Sequence, residues 1–98
     1  MSDTEPADQT CRADVWLWRA RFFKTRALAA RFLADGRVRL TRGGVESRLD
    51  KASRTLHPGD ELVFALGGRL VAVRMLAPGE RRGPAPEARA LYLPLENN

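Results

Sequence analysis

The side chains with the clearest chemical potential in this sequence are cationic, and they cluster. Lys24, Thr25 and Arg26 are consecutive, Arg31 follows five residues later, Arg12 lies ahead of them, and Arg37, Arg39 and Lys51 lie behind. A guanidinium is planar and permanently charged. Its fork of N–H donors fits two phosphate oxygens at once, and its face stacks on a base. A threonine just before a helix can cap it or offer its hydroxyl to a ligand, and the exposed amides there add donors for a phosphate. The constellation Arg12, Lys24, Thr25, Arg26 and Arg31, with Arg37, Arg39 and Lys51 nearby in sequence, therefore has the chemistry of a polyanion site.

Catalytic chemistry has no comparable basis. An active site needs convergent acids, bases, nucleophiles or metal ligands. The one histidine, His57, sits in a His-Pro-Gly-Asp turn, and Asp60 and Glu61 are adjacent, so a strand would point them to opposite faces. No glycine-rich loop leads into a lysine followed by Ser or Thr. The single thiol, Cys11, can form neither an internal disulfide nor a zinc knuckle, and reads as a tail residue without a role. The expectation is a non-enzyme with no catalytic residues, metal, cofactor or small-molecule substrate.

The placement of charge says more than the net value of +5. Residues 1–11 carry Asp3, Glu5 and Asp8. Residues 12–54 carry twelve Lys/Arg against Asp14, Asp35, Glu46 and Asp50, and residues 55–98 hold five of each sign. The excess is confined to 43 consecutive residues, the electrostatic footprint of nucleic-acid binding. With 98 residues the chain suits one small domain. No apolar run is long enough for a membrane span, and the acidic start lacks the pattern of a secretory signal, so a cytoplasmic location is expected.

The elements that must position these groups follow from periodicity. Residues 1–11 read as an acidic disordered tail. A first helix is expected from Asp14 to about Phe23, with Trp16, Leu17, Ala20 and Phe23 as one apolar stripe and Val15, Trp18 and Phe22 as a second. A second helix is expected from Thr25 to about Asp35, stopped by Gly36, with Leu28, Ala29, Phe32 and Leu33 on one face. The aromatic residues are read as core rather than as stacking platforms. Residues 37–41 then alternate as a half-buried strand, and Gly43-Gly44 supplies a turn. Residues 45–54 look polar and irregular, with one weak strand near Glu46. Strands over 61–66 and 69–76 flank a Gly67-Gly68 hairpin loop, 78–86 is a loop, and Leu91-Tyr92-Leu93 adds a short strand. The class is α+β, with two N-terminal helices on a small, mostly antiparallel sheet.

In this order and spacing the residues resemble the S4 RNA-binding domain family, the alpha-L motif. The pieces are Arg12-x-Asp14, Thr25-Arg26 opening the second helix, Asp35-Gly36-x-Val38, Lys51-Ala52-Ser53, and Pro58-Gly59-Asp60-Glu61-Leu62. Within it, residues 16–29, Arg81-Arg82, Pro84-Ala85, Glu87-Ala88 and Leu91-Tyr92 look like the ribosome-associated heat shock protein 15 family. Residues 51–62 with Leu70-Val71-Ala72-Val73 are also similar to the RqcP ribosome quality control proteins. The resemblance implies an S4-type domain over 12–76, with 77–98 as a C-terminal loop and short strand packing on it. It implies an RNA face of Arg12, Lys24, Thr25, Arg26, Arg31, Arg37 and Lys51. The implied partners are large-subunit rRNA and peptidyl-tRNA on the large ribosomal subunit, in rescue or quality control of stalled complexes. Ala13 and Val15 stand where the family often has Leu and Lys, and Thr41-Arg42-Gly43-Gly44 replaces its usual Asn-Gly turn.

Two other readings compete. One is an accessory domain that binds a protein through its strand-rich half; the other is a structured-RNA binder not tied to the ribosome. An RNA-modifying enzyme is disfavoured, because the chain has no room for a catalytic domain beside the binding module.

Overall fold

The computed structural model describes residues 9–95. The expected disordered tail lies largely at residues 1–8, outside the described residues. Its end is corrected: Cys11 and Arg12 form a short strand, β1, paired antiparallel with Thr55–Leu56 (β4). Half-burial of the Cys11 side chain beside Leu56 favours this pairing over a solvated tail.

The first helix, α1, runs from Ala13 to Arg19, four residues short of the expected end. Its stop is a left-handed cap. Arg21 has φ +69°, its N–H donates to Trp18 O at 3.1 Å, and Phe22 N–H donates to Leu17 O at 3.1 Å. That bond pair usually takes glycine at the left-handed position. The cost of an arginine there is roughly 1–2 kcal/mol. Its Nε offsets this by donating to Gly83 O at 2.6 Å. The cap swings Phe22 and Phe23 off the helix, so the i+7 match of Phe23 is coincidental. Phe23 packs on Phe32 with ring centres 5.0 Å apart, and Phe22 packs on Tyr92 at 4.9 Å and Phe64 at 5.6 Å.

The second helix, α2, spans Arg26–Ala34 and ends as expected. Thr25 caps it by accepting Leu28 N–H at 3.0 Å, and Gly36 takes φ +71° with its N–H on Leu33 O. Ala29, Phe32 and Leu33 are buried, while Leu28 is 48% exposed.

Five antiparallel strands follow. They are β2 (Val38–Arg42), β3 (Val45–Leu49), β5 (Glu61–Leu66), β6 (Arg69–Met75) and β7 (Tyr92–Pro94), ordered β3-β2-β5-β6-β7. Residues 45–49, expected to be irregular with one weak strand near Glu46, form a full hairpin partner. Gly43 and Gly44 both adopt positive φ, the requirement of a two-residue turn that matches strand twist. Val38, Leu40, Leu49, Leu62, Phe64, Val73 and Met75 are buried with Trp16, Leu17 and Leu33 in one core. Buried Asp60 accepts Arg42 Nε at 2.8 Å, Arg42 Nη2 at 2.7 Å and His57 N–H at 2.8 Å, so it ties the 57–60 turn to the end of β2.

The segment after β6 is stitched to α1 by side chains. Trp16 Nε1 donates to Ala77 O at 2.8 Å, and Arg19 Nη1 to Gly79 O at 2.7 Å. Arg82 Nε returns to Trp18 O at 3.1 Å. Ala85–Arg89 forms a one-turn helix, α3, that begins at the end of the stretch expected as loop and was not anticipated. Five residues are too few for a periodic signal, and the prolines there are tolerated in a first helical turn.

Candidate nucleic-acid interface

The cationic side chains expected at the site are all exposed, and the backbone places them in two groups on either side of α2. The first gathers on Asp14. Ala13 N–H donates to Arg54 O at 2.8 Å and Asp14 N–H to Ala52 O at 3.2 Å, which sets the Lys51–Arg54 turn against the start of α1. Arg12 reaches over from β1 and clasps the Asp14 carboxylate through Nε and Nη2, both at 3.0 Å. Arg26, from the first turn of α2, stands 4.0 Å from Asp14 Oδ2, the oxygen that Arg12 Nη2 also contacts. One carboxylate thus serves two guanidiniums, each about half exposed, and the group stays net positive. Arg12 uses part of its donor fork and keeps the rest outward.

Asp14 acts as the organiser of this group. Burial raises its pKa, but the Arg12 bonds, the Val15 N–H and the Arg26 charge outweigh burial and hold it below the ordinary carboxylate range. A folded-state pKa below the unfolded value adds stability above the unfolded pKa of about 3.9 and loses it as pH falls through the folded value. Melting temperature measured from pH 7 to pH 2 should therefore fall more steeply for the parent than for Asp14→Asn, and the gap between them should close at the acid end.

Lys24 and Thr25 occupy the turn between the helices. Lys24 is exposed, and Thr25 Oγ1 accepts Leu28 N–H as the helix cap. The expectation left its role open between capping and ligand contact; the hydrogen bond shows the cap, and the hydroxyl keeps its own O–H donor.

The second group does not meet the first. Arg31 is five residues beyond Arg26, roughly 140° around the helix. It lies with Arg37 beside Leu28, Phe32 and Asp35, and the Arg37 guanidinium carbon sits 4.8 Å from the Phe32 ring centre. The cations therefore flank the exposed face of α2 rather than converge on a point. Sequence reasoning left out Arg48. It pairs across the hairpin with Arg39 and lies over Gly36, where an added Cβ would stand 3.1 Å from Arg48 Cδ. Like charges directly opposite on a sheet are unfavourable, and Glu46, 3.8 Å from Arg39, offsets them only in part. A surface that keeps Arg37, Arg39 and Arg48 together is suited to an anionic partner.

Cys11 differs from the tail thiol expected. It is half-buried between the helix start and β4. Burial, more than the opposing charge of Arg19, pushes its pKa to about 11, with Asp14 adding to the rise. The thiolate is the reactive form. Alkylation by iodoacetamide at pH 8 should be slower than in the denatured chain by roughly two orders of magnitude. Equal rates would contradict the seating of Cys11.

Among the described residues no group of three or more His, Cys, Asp or Glu could hold a metal ion, and no helix is long and apolar enough to cross a membrane. Fold and surface together define a small α+β protein whose helix pair, packed on an antiparallel sheet, presents a cationic face. No family model matches the chain. It is 32% identical over 92 residues to a heat shock protein 15 homolog of Haemophilus influenzae, covering 94% of this chain and 66% of the relative. It is 40% identical over 86 residues to heat shock protein 15 of Escherichia coli K12, covering 83% of this chain and 57% of that protein. A trimeric structure of Vibrio cholerae heat shock protein 15 superposes with a TM-score of 0.77 at 31% identity, covering 88% of this chain and 82% of the other. The chain belongs to the heat shock protein 15 family. It spans about two thirds or less of the length of these curated relatives.

Proposed function

We propose that this chain is a non-catalytic binder of structured RNA. In this reading it docks on large-subunit rRNA and tRNA, on subunits that still hold peptidyl-tRNA after translation has stalled, and acts in the cytoplasm. The observation that carries the reading is the exposed, mostly unneutralised set Lys24, Arg26, Arg31 and Arg37 on one helix and its flanking turns, with Lys51 in the turn set against the start of α1. Folded RNA is recognised by shape through phosphates and 2′-hydroxyls, which forked donors spread over a convex surface can satisfy. Family membership supports the choice of a ribosomal partner.

A salt titration of binding to an rRNA or tRNA hairpin tests it. Neutralising about four to six phosphates gives log K against log salt a slope of roughly −3 to −5. Affinity indifferent to salt would defeat the mechanism.

A protein-binding role is the second reading. Leu70 is 67% and Leu93 44% exposed on strands β6 and β7, and the Vibrio cholerae relative is trimeric. Ribonuclease treatment of a lysate separates the two: association that survives digestion favours a protein contact.

A further inference from the structure

We propose that the groove between α2 and the start of β2 is a pocket for one unpaired nucleobase, with guanine the preferred occupant. This rests on the RNA-binding reading above and adds a specificity element to it.

The groove has a volume of about 200 Å³ and is lined by Phe23, Leu28, Arg31, Phe32, Asp35 and Arg37. Phe23 and Phe32, whose rings pack on each other, line it, each residue 9% exposed. Leu28 forms an apolar wall. It is nearly half exposed although it stands on a helix whose other large apolar residues are buried. Arg37 sets its guanidinium carbon 4.8 Å from the Phe32 ring centre, at the side of the slot. A small apolar slot with a guanidinium beside it offers a splayed-out base an apolar wall and a cationic face to stack on.

Charge complementarity selects a nucleotide over an apolar peptide side chain. Arg31 and Arg37 flank the slot, and neither has a carboxylate partner among the described residues, so both are available to the phosphates on either side of the base. Asp35 is the exception. It is exposed at the end of α2 without a cation partner among the described residues, and it would repel a phosphate. A carboxylate facing a base edge instead accepts hydrogen bonds. Guanine alone among the four bases offers two adjacent N–H donors on its Watson–Crick edge, and these match the two carboxylate oxygens.

The test uses five RNA hairpins identical except at one bulged position: guanine, adenine, uracil, an abasic site, or no bulge. The full chain should bind the guanine hairpin about ten-fold more tightly than the abasic or unbulged ones, the modest end of what stacking one base contributes. Leu28→Ala should shrink the advantage of every base over the abasic site. Asp35→Asn should remove the ratio between guanine and uracil. Equal affinity for all five hairpins overturns the pocket while leaving the RNA reading intact. A guanine preference that persists in Asp35→Asn overturns the assignment of the acceptor. Failure to bind any hairpin overturns both the pocket and the reading on which it rests.

Discussion

Replacing Lys24 and Arg26 together with glutamate is expected to weaken binding to structured RNA by about a hundred-fold at 0.1 M salt, and to flatten the salt slope by about 1.5. The magnitude follows from counterion release. Each phosphate contact contributes roughly 0.7–0.9 of a decade per decade of salt, so two lost contacts remove about 1.5 decades at 0.1 M, and reversal adds repulsion. Lys24→Glu is the cleaner single change, because no ion pair of the fold involves that exposed side chain among the described residues. Arg26→Glu sets a second carboxylate near Asp14 and costs stability as well. Affinity should therefore be compared at a temperature where both variants show the parent circular dichroism. Unchanged affinity and slope in folded Lys24→Glu/Arg26→Glu would remove this face from the interaction.

The largest effect on stability is expected from Trp16→Ala, at about 4 kcal/mol. Trp16 is fully buried and makes two separate contributions. Its ring fills the core beside Phe22, with centroids 6.2 Å apart, and its Nε1 holds Ala77 O at the point where the C-terminal segment leaves β6. Trp16→Phe separates them, keeping most of the apolar bulk while orphaning the carbonyl, for a loss of about 1–3 kcal/mol. Urea unfolding gives both values. If Trp16→Phe costs as much as Trp16→Ala, the hydrogen bond to the C-terminal segment outweighs the packing. If neither costs more than 1 kcal/mol, that segment is not part of the cooperative unit.

How legible the chain was depended on whether local chemistry decided the outcome. Thr25 and Gly36 mark α2 because a cap and a left-handed stop act within one turn. Gly67-Gly68 marks a hairpin for the same reason. The end of α1 was hidden because Arg21 takes a position that glycine normally fills, and what stabilises it there is Gly83, sixty-two residues away. The strand Val45–Leu49 showed only as a weak strand near Glu46, because it is an edge whose residues are exposed up to Leu49 and carry no alternation. Counting outward from Gly43-Gly44 would have paired Arg39 with Arg48 and brought Arg48 into the site. The cationic residues themselves were visible from their types, whereas their division into two groups was not, because it depends on the long-range packing that sets Arg12 and the 51–54 turn beside the start of the helices and Arg37 beside Arg31. Arg19, Arg21 and Arg82 look equally suited to RNA in sequence, yet each donates to backbone carbonyls within the fold.

Sedimentation through a sucrose gradient tests the central claim most directly. The chain is mixed with free large subunits carrying peptidyl-tRNA, with empty large subunits, with small subunits and with whole ribosomes. Co-migration with the peptidyl-tRNA-bearing large subunits, lost in Lys24→Glu/Arg26→Glu, is the expected result. A chain that stays at the top of every gradient, or that sediments equally well as the double variant, would contradict the account.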